Sequence, residues 1–441
     1  MIDTNSREVV LDILMEILEK GNLSHLILKQ ALEKYQYLEK QDRAFITRIT
    51  EGTLEYLIQI DAVINRYSKV KVGKMKPVIR TIMRMSVYQL LYMERVPDSA
   101  VCNEAVKLAK KRKFQGLTGF VNGVLRNISR EKETIKFTSP AERYSIPQWM
   151  FSLWEKSYGK ETAEKISASF LEDRPLTVRC NTSRAPIEKI VESLEAQGIC
   201  VEISTISPTV LQISGYDYLD TVEAFAEGYI TVQDTSSTLV GLVAAPNPGN
   251  LVLDVCSAPG GKSMHVADLM AGTGMVESRD LTEYKISLVE ENIARCGFSN
   301  MRTCVWNATV LDPNMEGKAD IVLADLPCSG LGIIGKKPDI KMRLQEEELH
   351  ELAALQRKIL SVVSRYVKPG GVLVYSTCTI NPEENEGNAL WIEENLPFKK
   401  KEIASVLPEA LKNDCVDNRI QLLPGIHPCD GFFIAAFERE A

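Results

Sequence analysis

A chain of 441 residues is longer than one hydrophobic core usually organises, so two or three domains are expected. With 45% apolar and 25% charged residues it has an ordinary folded composition, and no apolar run approaches the ~20 residues of a membrane span. The net charge of −7 is unevenly spread: residues 1–130 hold 22 Lys+Arg against 14 Asp+Glu, an excess of +8, and the remainder carries −15.

That asymmetry is what a polyanion bound at one end would select. The opening MIDTNSREVV lacks a basic-then-apolar signal pattern, which points to a cytosolic protein. Ten cysteines without a CxxC pair, and histidines only at 25, 265, 350 and 427, argue for reduced thiols and against a zinc site.

Residues 5 to about 130 read as all-helical. REVVLDILMEILEKG sets Val10, Leu14, Ile17 and Leu18 on one face and stops at Gly21. DRAFITRITEGTLEYLIQIDAVINRY is a longer helical pattern with an interruption expected near Gly52. PDSAVCNEAVKLAKK opens with Asp98 and Ser99 as candidate N-caps, and TGFVNGVLRNISR is a last helix. Two basic clusters lie here, SKVKVGKMK (Ser68–Lys76) and KLAKKRK (Lys107–Lys113). The second alone reads equally well as a solvated helix end; the two together favour RNA or DNA.

From Glu131 the polar EKETIKFTSPAERYS reads as a linker. Residues 145–235 mix helices with short strands at LTVRCN, CVEIST, TVLQIS and YITVQD, a small α+β segment. From about Ser236 strands alternate with helices. The strands are LVLDVC, GMVESRD, MRTCVW, ADIVLAD, GVLVYST and FFIAAFE; the helices are GKSMHVADLM, YKISLVEENIARCG and ELHELAALQRKILSVVSRYV. This order argues for a parallel, doubly wound sheet with its ligands at the carboxyl ends of the strands.

The unusual loops fall at those ends. LDVCSAPGGKS has the Gly261-Lys262-Ser263 end of a phosphate-binding P-loop, but Cys256 stands where its first glycine belongs, and no G-x-G-x-x-G is present. The small residues Ser257, Ala258, Gly260 and Gly261, with Pro259 among them, suit a loop closing around an uncharged nucleoside with an amino-acid tail. Asp280 stands roughly 20 residues beyond the loop, where a ribose-binding acid is expected, although it could instead cap the next helix. Asn307, after TCVWN, can offer an amide to an adenine edge.

Cys328 and Cys378 end two further strands. Buried cysteine is ordinarily inert, but two thiols in polar loops at strand ends point to chemistry. A pyrimidine carbon 5 becomes nucleophilic once a thiolate has added to carbon 6, and release then needs a base for the carbon-5 proton. Asp325 can hold the ring at nitrogen 3.

DLPCSG, YSTCT, APGGK and the trailing NPEENE together resemble the RNA cytosine-5 methyltransferases of the NOL1/NOP2/Sun family. DRAFITRITEGTL, NEAVKLAKK and FVNGVLRN look like the NusB-like RNA-binding domain, and RPLTVRCNTS and VQDTSSTLV like the family's connecting segment. The resemblance implies a NusB-like all-α domain (1–130), a small α+β connecting segment (131–235) and a Rossmann-like class I α/β methyltransferase domain (236–441).

It further implies S-adenosylmethionine as methyl donor and 16S rRNA, naked or in an early assembly intermediate, as substrate of a monomer. The target would be cytosine 967 in the family's usual rRNA numbering. Cys378 matches the nucleophile and Cys328 the second cysteine, which assists proton removal and release. Residues 256–262 match the cofactor loop, with Lys262 also near the reacting base, and Asp280 and Asp325 match acidic positions. Three departures stand out: Asn307 replaces a common Asp, Ser257 a usual alanine, and Ser278-Arg279 a more apolar approach to Asp280. A rival of a different class is a catalytically silent RNA-binding or ribosome-assembly factor on the same fold.

Overall fold

A computed structural model describes residues 5–440. They fall into two compact units, residues 5–172 with 334–344, and residues 173–333 with 345–440.

The first unit is helical. Its bundle is formed by Ser6–Leu18, Ser24–Lys34, Lys40–Glu55, Leu57–Tyr67, Pro77–Tyr92, Asp98–Lys111 and Thr118–Glu131. Val10, Leu14, Ile49, Ile60, Ile82 and Leu125 are fully buried in its core. The expected interruption lies at Tyr56 instead of Gly52, which sits inside a continuous helix. Glycine is required there by packing: a Cβ at Gly52 would lie 2.0 Å from the Tyr88 Cζ. Neither Asp98 nor Ser99 caps its helix. Pro97 occupies the cap position, and Asp98 accepts from the Ser129 hydroxyl at 2.6 Å and from Lys132 at 2.9 Å.

The polar stretch after Glu131 is not a free linker. Ser139 caps a short helix, Pro140–Tyr144, that is tied to Leu57–Tyr67 by the Arg66–Glu142 ion pair at 2.6 Å and by Gln59 donating to the Arg143 carbonyl at 2.7 Å. Helices Gln148–Tyr158 and Lys160–Ser169 follow. The returning segment Ile334–Leu344 completes this unit. Ser24 donates to Asp339 at 2.6 Å, and the buried Lys341 ammonium donates to the Glu55 carbonyl at the end of Lys40–Glu55.

The second unit holds two sheets. β1 (Leu176–Cys180), β2 (Cys200–Ile203), β3 (Val210–Ser214) and β4 (Ile230–Val232) form an antiparallel sheet of order β2-β3-β1-β4. The larger sheet is built on β5 (Leu251–Asp254), β6 (Met275–Asp280), β7 (Met301–Val305), β8 (Ala319–Asp325) and β9 (Val367–Thr377), all parallel in the order β9-β8-β5-β6-β7. It continues antiparallel beyond β9 through β13 (Phe432–Arg439), which also pairs with β10 (Phe398–Lys400), and then through β12 (Arg419–Leu422) and β11 (Cys415–Val416). Strands β5 and β8, and β9 from Gly371 onward, are buried on both faces, as helix-covered parallel strands must be, so they read as apolar runs.

Candidate active site at the strand ends

The glycine loop leaves β5 at Asp254 and enters the helix Gly261–Leu269. It is held from both sides. Ser257 N donates to the Arg279 carbonyl at 2.9 Å, Ala258 N to Asp280 Oδ2 at 3.0 Å, and Gly260 N to the Ser257 carbonyl at 2.6 Å. Gly260 has φ +102°, and a Cβ there would meet Val289 at 3.2 Å, so the turn needs glycine. Inside the loop the Ser257 hydroxyl is buried without a partner. Burial pushes the Cys256 thiol up, and its sulfur packs among apolar residues.

Asp280 is not a helix cap; Thr282 fills that position, its hydroxyl accepting from Lys285 N. The Asp280 carboxylate instead fastens the loop and pairs with Lys285 at 2.9 Å. Asn307 lies exposed two residues beyond β7, its oxygen engaged by Thr309 N and Oγ1 at 3.0 and 2.9 Å. Arg279, the polar departure before Asp280, is buried yet compensated: it pairs with Asp312 at 2.8 Å and with Glu277.

The remaining groups converge at the ends of β8 and β9. Lys262 Nζ lies 2.6 Å from Asp325 Oδ2 and 5.3 Å from the centre of the Phe432 ring. Burial opposes the Lys262 charge, but the Asp325 carboxylate outweighs it and the ammonium is held above its ordinary value. Ser376 donates to Asp325 Oδ1 at 2.8 Å. Cys328 and Cys378, 50 positions apart in sequence, have their sulfurs 3.4 Å apart. The hydrogen bond to Cys378, burial, and the charges of Cys378 and Glu384 all push the Cys328 thiol well up.

Comparison with known proteins follows this geometry. Residues 241–438 match the 16S rRNA methyltransferase RsmB/F model, residues 4–130 the NusB family, and residues 146–216 the ferredoxin-like domain of RsmF/B-like methyltransferases. Probable ribosomal RNA small subunit methyltransferase B of Bacillus subtilis (strain 168) is 34% identical, with 100% of both chains covered. The chain belongs to the RsmB/F methyltransferase family. A Synechocystis relative of the same description is 31% identical over 99% of each chain. The crystal structure of PH0851 superposes with a TM-score of 0.84 at 28% identity, covering 99% of this chain and 100% of that one. NSun6 from Pyrococcus horikoshii with SFG shares the fold (TM-score 0.58, 23% identity, 67% of this chain and 98% of that one).

As an RsmB/F member the chain uses S-adenosylmethionine, and its loop suits that cofactor. The turn at Gly260 admits no side chain, and the orphaned Ser257 hydroxyl is a polar group awaiting a partner. Among the described residues no helix is long and apolar enough to cross a membrane.

Two sets of residues were not singled out in the sequence. Asp254 receives the Ser263 hydroxyl at 2.6 Å and is pushed by burial up to about 7. Glu384, Ser329, Thr379 and Gln356 form a buried polar cluster behind the two thiols. Only the NPEENE pattern pointed towards it, and an acid-rich hexapeptide ordinarily reads as solvated surface.

Proposed function

We propose that this chain methylates carbon 5 of a cytosine in 16S rRNA, cytosine 967 in the usual numbering, through a covalent bond between Cys378 and carbon 6. The observation that carries it is the 3.4 Å approach of the Cys328 and Cys378 sulfurs beside the Lys262–Asp325 pair. A silent RNA-binding relic would have no use for that arrangement.

S-adenosylmethionine, when bound, supplies the methyl group to carbon 5. The glycine loop 256–262 would hold its amino-acid end, Asp280 its ribose and the Asn307 amide its adenine, with Asp325 lining the site. The Cys378 thiolate forms the sulfur–carbon 6 bond, and the electron pair of the 5,6 double bond becomes available at carbon 5. Asp325, kept close by Lys262 and Ser376, holds the ring at nitrogen 3, which takes a proton from solvent as the adduct forms and returns it when the 5,6 double bond re-forms.

Cys328 completes the cycle. Before attack it rests as a thiol donating towards Cys378, which favours the thiolate on Cys378. Once Cys378 is bound to carbon, its charge is gone and its sulfur is a weak acceptor, so two of the causes that raise Cys328 disappear. Cys328 then loses its proton to solvent and takes the carbon-5 proton. The 5,6 double bond re-forms and the Cys378 thiolate leaves. One proton is released per turnover, as the exchange of C–H for C–CH₃ against a sulfonium requires.

The test is methyl transfer from labelled S-adenosylmethionine to unmodified 16S rRNA, naked and as an assembly intermediate, with the modified nucleotide mapped. 5-Methylcytosine supports the proposal. A methylated uridine or adenine overturns it, and tight RNA binding without transfer to either substrate would leave the silent-factor reading.

A further inference from the structure

The two cysteine loops are not held in the same way. Cys378 follows directly on β9, whose ladders to β8 and β13 run to Ser376 and Thr377. Cys328 lies three residues beyond β8, in a loop without ladder partners. Beyond the backbone bonds from Leu326 N to the Ser376 carbonyl at 3.2 Å and from Gly332 N to the Cys378 carbonyl at 3.1 Å, that loop is held at the thiol by a buried carboxylate. Glu384, with no exposed surface, accepts from Ser329 N at 2.9 Å and Gln356 Nε2 at 2.8 Å on one oxygen. On the other it accepts from the Ser329 hydroxyl and from Asn381 Nδ2 at 3.0 Å.

Ser329 is the residue after Cys328, and its hydroxyl meets that of Thr379, the residue after Cys378, at 2.6 Å. Gln356, bound to the same carboxylate, also donates to the Pro327 carbonyl at 2.9 Å, just before Cys328. One acid therefore grips the Cys328 loop on both sides of the thiol and joins it to the Cys378 loop.

We infer that Glu384 is a positioning residue that sets the reach of Cys328 and so governs proton removal and release, but not attack by Cys378. The inference rests on the function proposed above. Four donors converge on Glu384, and a glutamine amide would set an N–H against at least one of them. An ångström of misplacement can slow a positioned group by on the order of a hundredfold. The negative charge also bears on the thiol, because Glu384 is among the groups that push Cys328 up. Burial raises Glu384 itself, so its donors are what favour the ionised form.

The experiment uses full-length E384Q and, in parallel, S329A, which removes one hydroxyl and keeps both the carboxylate and the backbone N–H that meets it. With S-adenosylmethionine and 16S rRNA, the rate of covalent protein–RNA adduct formation and the rate of its decay are measured separately in single turnovers. Adduct formation is expected to stay within about threefold of the parent while decay slows on the order of ten- to a hundredfold for E384Q, with a smaller effect in S329A. E384D should restore decay in part. Equal loss of formation and decay in the soluble variants, or unchanged decay in both, overturns the inference. Cys328→Ala is the control that separates the two readings: if it accumulates no adduct, the proposed mechanism itself has failed. If it accumulates adduct while E384Q and S329A do not, only the role of Glu384 is wrong.

Discussion

Lys341 offers a measurement that depends on neither RNA nor cofactor. It is 5% exposed, and burial lowers its ammonium from the ordinary 10.5 to about 7, the Glu55 carboxylate opposing only in part. Below pH 7 both folded and unfolded chains carry the proton, so folding bears the whole penalty of burying the charge. Between about 7 and 10.5 the unfolded chain binds more protons than the folded one, and stability rises with pH. At 1.36 kcal/mol per pKa unit the penalty is about 5 kcal/mol at pH 6 and about 3 kcal/mol at pH 8.5, a gain of about 2 kcal/mol. Lys341→Met abolishes this dependence but leaves the Glu55 carbonyl without its donor, at about 1–3 kcal/mol that does not vary with pH. The variant should therefore be about 2–4 kcal/mol more stable than the parent at pH 6, an advantage that shrinks by about 2 kcal/mol at pH 8.5. Urea unfolding of both full-length proteins across that range measures it. A difference constant with pH would refute the argument, because it would mean that Lys341 keeps an ordinary affinity for its proton.

Cys378→Ala should bind RNA reversibly and form no adduct, whereas Cys328→Ala should accumulate an adduct that survives denaturing electrophoresis when S-adenosylmethionine is supplied; the opposite result exchanges their roles. Asp325→Asn leaves Lys262 without its counter-charge and should slow adduct formation on the order of a hundredfold in single turnovers; an unchanged rate would remove Asp325 from the first step. In the basic cluster Lys111 pairs with Glu8 and Arg112 with Asp12, while Lys110 and Lys113 are exposed. Neutralising Lys110 and Lys113 should weaken RNA binding and reduce its log–log salt slope by up to about 2 without altering cofactor affinity, and an unaltered slope would make them a solvated helix end. Gly52→Ala drives a methyl into the Tyr88 ring and should destabilise by about 1–3 kcal/mol or more in denaturant unfolding; no loss would mean that the helix shifts freely.

The methyltransferase half was the more legible in sequence, for a physical reason. Parallel strands covered by helices become short apolar runs, and the residues that end them break the pattern with glycine, proline, acid or thiol. Hence β5, β6, β8 and β9 and the loops bearing Cys256, Asp280, Cys328 and Cys378 could be placed from local signals. The helical half gave weaker ones. Pro77–Tyr92 buries residues on nearly every side, so it lacks the one-sided rhythm that marks a surface helix. Gly52 reads as a breaker because nothing nearby in sequence reveals the ring of Tyr88. Glu384 and Arg279 were opaque for a related reason: a buried charge is tolerated through partners distant in the chain, here Ser329 and Asp312. The short strands β10 to β12 span two to four residues each, too few for any periodicity to show.

The return of Ile334–Leu344 to the helical unit also has a consequence in time. On the ribosome the first 172 residues emerge roughly 160 residues before this segment does. At the ~5–20 residues per second of translation, that delay is on the order of ten to thirty seconds. For that interval the nascent bundle lives with the Glu55 carbonyl and the Ser24 hydroxyl turned to water, and its edge is closed only after β8 has been made. The helical unit is thus the first to be begun, yet it is finished only after residues 173–333 of the other unit have been made.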